Sequence, residues 1–259
     1  LEQLSPALLE LGCPARVYIP LEEVSRLESL PGEGPEWCAV LPRVWRDRDE
    51  PALRTLLERA RALGFTGVLI GNLGHLPLVR GLNFHLYGDY GLNVFNSRSL
   101  AYLKDKELES ACVSFELRFA QIRDLKKVLR AEAIVYGRLP LMITENCLVQ
   151  NETGCRLDRQ GPCVPEDGPC RCGQPNVLVD RTGAAFPLLP AYGHRTEIQN
   201  SKPLYLADRP EHRRLGLAYA RLRFTTETAE ECVSVVQNYL DAAPAAGDFT
   251  RGLYERGVE

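Results

Sequence analysis

The sequence predicts an α/β fold: a (β/α)8 TIM-like barrel lacking its first strand, with a long Cys-rich insertion that contains a β-hairpin. Three observations predict it. Short apolar runs alternate with helix-patterned stretches, which is the order of a parallel sheet with helical crossovers. Seven such runs can be placed, one short of a closed eight-stranded barrel. One connection, of roughly eighty residues, breaks the rhythm, and long connections of that kind usually carry function. A doubly wound open sheet is the competing architecture.

The first unit is Leu4, Leu8 and Leu11 at helical spacing, stopped by Gly12, before the strand Arg16–Pro20. Cys38–Leu41 is the next strand. Leu53, Leu56, Leu57, Ala60 and Leu63 then make one apolar helical stripe. Pro51 suits its first turn and Gly64 its end, and Gly67–Gly71 reads as a buried strand. Further strands fall at Phe84–Gly88, Ala111–Phe115, Glu132–Tyr136 and Tyr219–Phe224, with helices at Ser97–Lys106 and Phe119–Leu129. A last helix opens on Thr228 and Glu231, spaced as a capping box. The whole chain, 1–259, reads as one domain with an insertion at about 139–218. Within it, Val177–Val179, Asp180-Arg181-Thr182-Gly183 and Phe186–Leu189 form a hairpin pattern.

The chain has 259 residues, 25% of them charged, with a net charge of −3, so it carries no global basic footprint for nucleic acid. No apolar run is long enough to cross a bilayer, so no membrane partner is expected. The start lacks a secretory signal pattern, which places the protein in the cytoplasm, and lacks an initiator methionine, which reads as an internal piece of a longer protein. In the cytosol disulfides are rare, so nine cysteines point to metal ligation.

Five of those cysteines, Cys147, Cys155, Cys163, Cys170 and Cys172, stand in the insertion among Gly, Pro and polar residues. Thiolates so clustered suit Zn²⁺ or an iron–sulfur cluster, and His194 is a candidate further ligand. The competing reading is a set of uncoordinated thiols on a loop. Cys13, Cys38, Cys112 and Cys232 sit in element positions and read as core.

Strand ends supply a second constellation. Arg43, Asp89, Asn93, Glu116 and Arg138 all follow apolar strands, and a barrel would converge them on its C-terminal mouth. Asp89 and Glu116 could do acid–base work while Arg43 and Arg138 hold an anion. No dinucleotide fingerprint, Walker loop, His-Glu-x-x-His or Gly-x-Ser-x-Gly is present. His75, His85 and His212 read as ordinary residues.

Several segments carry a resemblance. Tyr136–Met142 with Thr144-Glu145-Asn146-Cys147, Gly88–Asn96, Asp180–Gly183 before Phe186-Pro187, and Ile198–Leu204 are similar to the core of the U32 peptidase family, in particular its long, collagenase-like bacterial members. The resemblance runs from about Arg16 to Tyr239. It implies a peptidase label, although better-understood relatives hydroxylate RNA bases or ubiquinone precursors, and some hold a [4Fe–4S] cluster. Cys147 matches the first cluster cysteine of those relatives, Cys155 the second, and Cys170 or Cys172 the third. Where they have the fourth, this chain has His194, which favours a Cys₃His site for zinc or an altered cluster, unless an extra cysteine substitutes. The expected partners are a peptide or RNA substrate and other domains of the same longer chain. Three functions follow: peptide hydrolysis, iron–sulfur-dependent hydroxylation of RNA or a small aromatic, or a non-catalytic module with structural zinc.

Overall fold

A computed structural model describes residues 1–153 and 174–258. The seven predicted strands all form, and they pair in parallel in chain order. They are β1 (Arg16–Pro20), β2 (Glu36–Val40), β3 (Gly67–Ile70), β4 (His85–Gly88), β5 (Ser110–Cys112), β6 (Arg130–Gly137) and, after the insertion, the strand Tyr219–Arg223. The sheet curls into a partial α/β barrel. Its outer face buries Ile19, Ala39, Leu41, Val68, Ile70, Val113 and Ala133 against the helices.

Those helices are α1 (Pro6–Glu10), α2 (Glu50–Leu63), α3 (His75–Val79), α4 (Ser97–Asp105), α5 (Phe119–Asp124), α6 (Leu148–Thr153) and α7 (Ala229–Leu240). In α2 the predicted stripe buries Leu53, Leu57 and Ala60, and Gly64 closes it at φ 100°. The capping box of α7 forms as read: Glu231 N–H donates to Thr228 Oγ1 at 3.2 Å, and Thr228 N–H to Glu231 Oε2 at 2.7 Å. The helix expected over 119–129 ends at Asp124. There the Lys127 ammonium donates to the carbonyls of Ile122, Arg123 and Leu125, and the chain extends towards β6.

The insertion builds a second, antiparallel sheet. Its strands are β7 (Pro140–Thr144), β8 (Asn176–Val179), β9 (Ala185–Ala191) and β10 (Arg195–Gln199), in the order β7-β10-β9-β8. The hairpin read from the sequence is β8–β9, while β7 and β10 were not anticipated. They are hard to see because Pro140 opens one and the polar alternation Arg195-Thr196-Glu197 fills the other. A short strand, β11 (Leu204–Tyr205), then pairs antiparallel with the end of β6, and Tyr219–Arg223 is β12. Of the four cysteines read as core, Cys38, Cys112 and Cys232 are buried, but Cys13 is exposed in the loop after α1. No helix among the described residues is long and apolar enough to cross a membrane.

Candidate functional site

Inside the curl, side chains are polar and aromatic. At the N-terminal end the Arg16 guanidinium stacks 3.4 Å above the Tyr87 ring and pairs with Glu36 at 2.9 Å. Gly67 makes room for this stack, since a Cβ there would overlap the Cys38 sulfur and the Tyr87 ring. One layer up, Tyr18 donates its hydroxyl to Glu132 at 2.8 Å. Glu132 also takes Arg221 Nε, and Arg221 Nη1 reaches Asp89 at 2.5 Å. Arg221, Glu132 and Asp89 are all buried. Burial pulls the Arg221 guanidinium down, but Glu132 and Asp89 outweigh it and hold the pKa well above the ordinary value.

Above this column lies the mouth. Glu197, delivered by β10 of the small sheet, faces Arg43 at 3.2 Å and Arg223 at 3.0 Å, and accepts the Tyr90 hydroxyl at 3.2 Å. The Tyr90 ring lies near both guanidiniums, its centroid 5.1 Å from Arg43 and 5.9 Å from Arg223. Arg223 also donates to Gln199 Oε1 and to the Arg138 carbonyl, each at 2.7 Å. Burial and then Glu197 push the Tyr90 hydroxyl upwards, so it stays a donor. Two guanidiniums thus share one carboxylate at the entrance, which leaves unspent positive charge there.

The other sequence candidates lie apart to varying degrees. Asp89 is at the floor of the mouth, fixed by Arg221 and by Tyr90 N–H at 2.8 Å. Arg138 turns aside: it donates to the carbonyls of Asn200 and Ser201, pinning the chain after β10 against the barrel. Asn93 is exposed at φ 47°, a left-handed position that asparagine tolerates. Glu116 follows β5 and has no ion pair among the described residues. His75, beneath the mouth, accepts Gly71 N–H at Nδ1 and lies 3.1 Å from the Pro42 carbonyl at Nε2. Burial lowers its pKa to about 4, so it is neutral.

On the cysteine side, Cys147 is buried at the entrance to α6, and Gln150 N–H donates to its sulfur at 3.4 Å. The pairing of Thr196 with Thr144 brings Cys147 and His194 to the same end of the small sheet. Cys155, Cys163, Cys170 and Cys172 lie outside the described residues. Among the described residues no three His, Cys, Asp or Glu side chains converge as a metal site.

The sequence reading passed over Tyr90, Glu132, Glu197, Arg221 and Arg223. A signal existed for two of them. Arg221 and Arg223 occupy every second position of a strand with both faces covered, so their charges had to point into the barrel.

A family model for peptidase family U32 matches residues 30–176, more than half of the chain. The chain belongs to peptidase family U32. The matched range of this U32 domain spans β2 to β7 and α6, and includes Arg43, Asp89, Asn93, Glu116, Arg138 and all five insertion cysteines. Glu197, Gln199, Arg221 and Arg223 lie beyond it. No curated protein matches the chain.

Proposed function

We propose that this U32 domain is the substrate-binding barrel of a larger cytoplasmic enzyme, and that its mouth holds an anionic, planar substrate. The observation that carries the reading is the sharing of Glu197 by Arg43 and Arg223 around the Tyr90 ring. An anionic group entering there meets guanidinium donors, and a planar ring has an aromatic face to lie on.

The same geometry bears on the chemistry. Asp89 and Glu197 are both committed to arginine, and His75 is neutral and turned to backbone, so these groups bind and orient rather than exchange protons. The reading therefore places the reactive group elsewhere, on an iron–sulfur cluster or zinc held by Cys147 with thiolates from Cys155, Cys163, Cys170 and Cys172, and with His194. The Cys147 sulfur, buried and accepting an amide N–H, suits a thiolate ligand. A cluster bound there would supply electron transfer, which side chains cannot, and the substrate class would be an RNA base or a small aromatic. The family match favours a second reading, hydrolysis of peptide bonds with Asp89 and Glu116 as acid and base.

Metal and labile sulfide analysis on anaerobically purified protein separates these readings. Iron with sulfide, and RNA binding lost in Arg43→Ala, is the expected result. Gelatin cleavage that survives replacement of Cys147 but not of Asp89 transfers the assignment to hydrolysis. Zinc with no turnover leaves a structural module.

A further inference from the structure

Where β10 begins, a buried arginine ties the small sheet to the barrel. Arg195 is 5% exposed. Its Nε and Nη2 donate to the two carboxylate oxygens of Glu145 at 3.2 and 3.1 Å. Its Nη1 donates to the Tyr192 carbonyl at 3.0 Å and to the Val44 carbonyl at 3.4 Å. Glu145, an exposed residue, also takes Arg46 at 2.8 Å. The turn before β10 is shaped around the guanidinium: Gly193 has φ 74°, and a Cβ there would stand 2.6 Å from Arg195 Nη1.

Val44 and Arg46 belong to the loop after β2 that carries Arg43. Arg195 and Glu197 are alternate residues of β10 and share one face, which both turn towards that loop. The two sides of the mouth are therefore held differently. Arg43 is fixed by the barrel, since Asn72 Nδ2 donates to its carbonyl at 3.1 Å and its guanidinium lies 5.1 Å from the Tyr90 ring. Arg223 stands on β12 itself. Glu197 rides on β10, which is tied at its far end by Gln199 and by Arg138 to the Asn200 carbonyl, and at its near end by Arg195.

We propose that Glu197 is a tethered competitor for the anion the mouth takes, and that Arg195 and Glu145 are the positioning residues that hold it on Arg43 and Arg223. A carboxylate fixed at that place acts at a high effective concentration, so an incoming anion binds only as it displaces it. The Arg195–Glu145 fork sets that concentration, because a bidentate pair fixes direction as well as distance. Without the fork the start of β10 swings and Glu197 spends less time on the arginines. The mouth then binds anions more tightly. The inference rests on the anion-binding reading of the mouth and adds a control on affinity that lies outside it.

A double-mutant cycle with inorganic phosphate as the probe, read by titration calorimetry on the whole chain, tests it. In the parent, Glu197→Gln tightens phosphate roughly fivefold. Glu145→Gln alone tightens it about threefold, and in that background Glu197→Gln adds less than about twofold. Gly193→Ala, which crowds the Arg195 guanidinium and changes no charge, reproduces the pattern. A full fivefold gain from Glu197→Gln in every background overturns the proposal, because the loss of a separate negative charge acts additively. Phosphate that binds no variant brings down the anion-binding reading and this inference with it, whereas binding with additive gains brings down the inference alone. The Arg43 side-chain Nε–H resonance gives a readout without ligand. It moves in Gly193→Ala and Glu145→Gln in the direction it moves in Glu197→Gln, and a resonance that neither variant moves overturns the clamp.

Discussion

Arg221 and Arg223 stand two residues apart on one strand, and both face carboxylates. Arg221 sits between Asp89 and Glu132 with all three side chains at most 8% exposed, whereas Arg223 shares Glu197 with an Arg43 that is one-third exposed. The lower cluster is dry: Arg221 is held by two carboxylates, and Arg16 lies 4.0 Å from Glu132 on its other side. The upper one is reached by water and has two arginines for one carboxylate. Burial makes the lower cluster a structural unit whose parts cannot be separated cheaply, because each charge depends on its partner for solvation. Access makes the upper cluster a place where a ligand can compete for the arginines.

The sharpest break in this comparison is Arg221→Met. It leaves Asp89 without its arginine and Glu132 with Arg16 and the Tyr18 hydroxyl alone, and is expected to cost about 3–5 kcal/mol, read by urea denaturation. A cost below about 1 kcal/mol would show that water reaches the lower cluster after all.

Next is His75, between the two levels. Its pKa of about 4, against an ordinary 6.5, means the unfolded chain takes up the proton first on acidification. Its contribution is full above pH 6.5 and is lost as pH falls towards 4, by about 3 kcal/mol in all. His75→Gln, compared with the parent by thermal melts across that window, should flatten the slope.

Gly137→Ala tests how the strand carrying both arginines is held. Gly137 has φ 115°, and a Cβ there would overlap the Arg223 carbonyl oxygen. The substitution should cost about 2–3 kcal/mol and weaken ligand binding at the mouth before it disturbs Arg221. The smallest effect belongs to Glu197→Gln. Stability should change by about 1 kcal/mol, while inorganic phosphate binds roughly fivefold more tightly in titration calorimetry because Arg43 and Arg223 are released. Unchanged phosphate binding would remove the anion-binding reading of the mouth.

Much of the barrel was legible because its signals are local. The stripe of α2, Gly64 at its end, the capping box of α7 and seven apolar strands follow from propensity and periodicity, and all appear. So did the strand-end placement of Arg43 and Asp89. Glu197 was not legible as a partner of either. It lies over a hundred residues further on in a polar strand, and nothing in Arg195-Thr196-Glu197-Ile198-Gln199 says which barrel strand it will cover.

By itself, then, the sequence determined the alternation of strand and helix, the parallel order and the family, since each rests on short-range pattern or on motifs in fixed order. Only the tertiary structure decided that Arg138 would brace the chain after β10 and that Glu197 would be shared by Arg43 and Arg223. Those outcomes depend on long-range juxtaposition. Charge pairing and backbone hydrogen bonding select partners by distance in space, and spacing along the chain does not encode it.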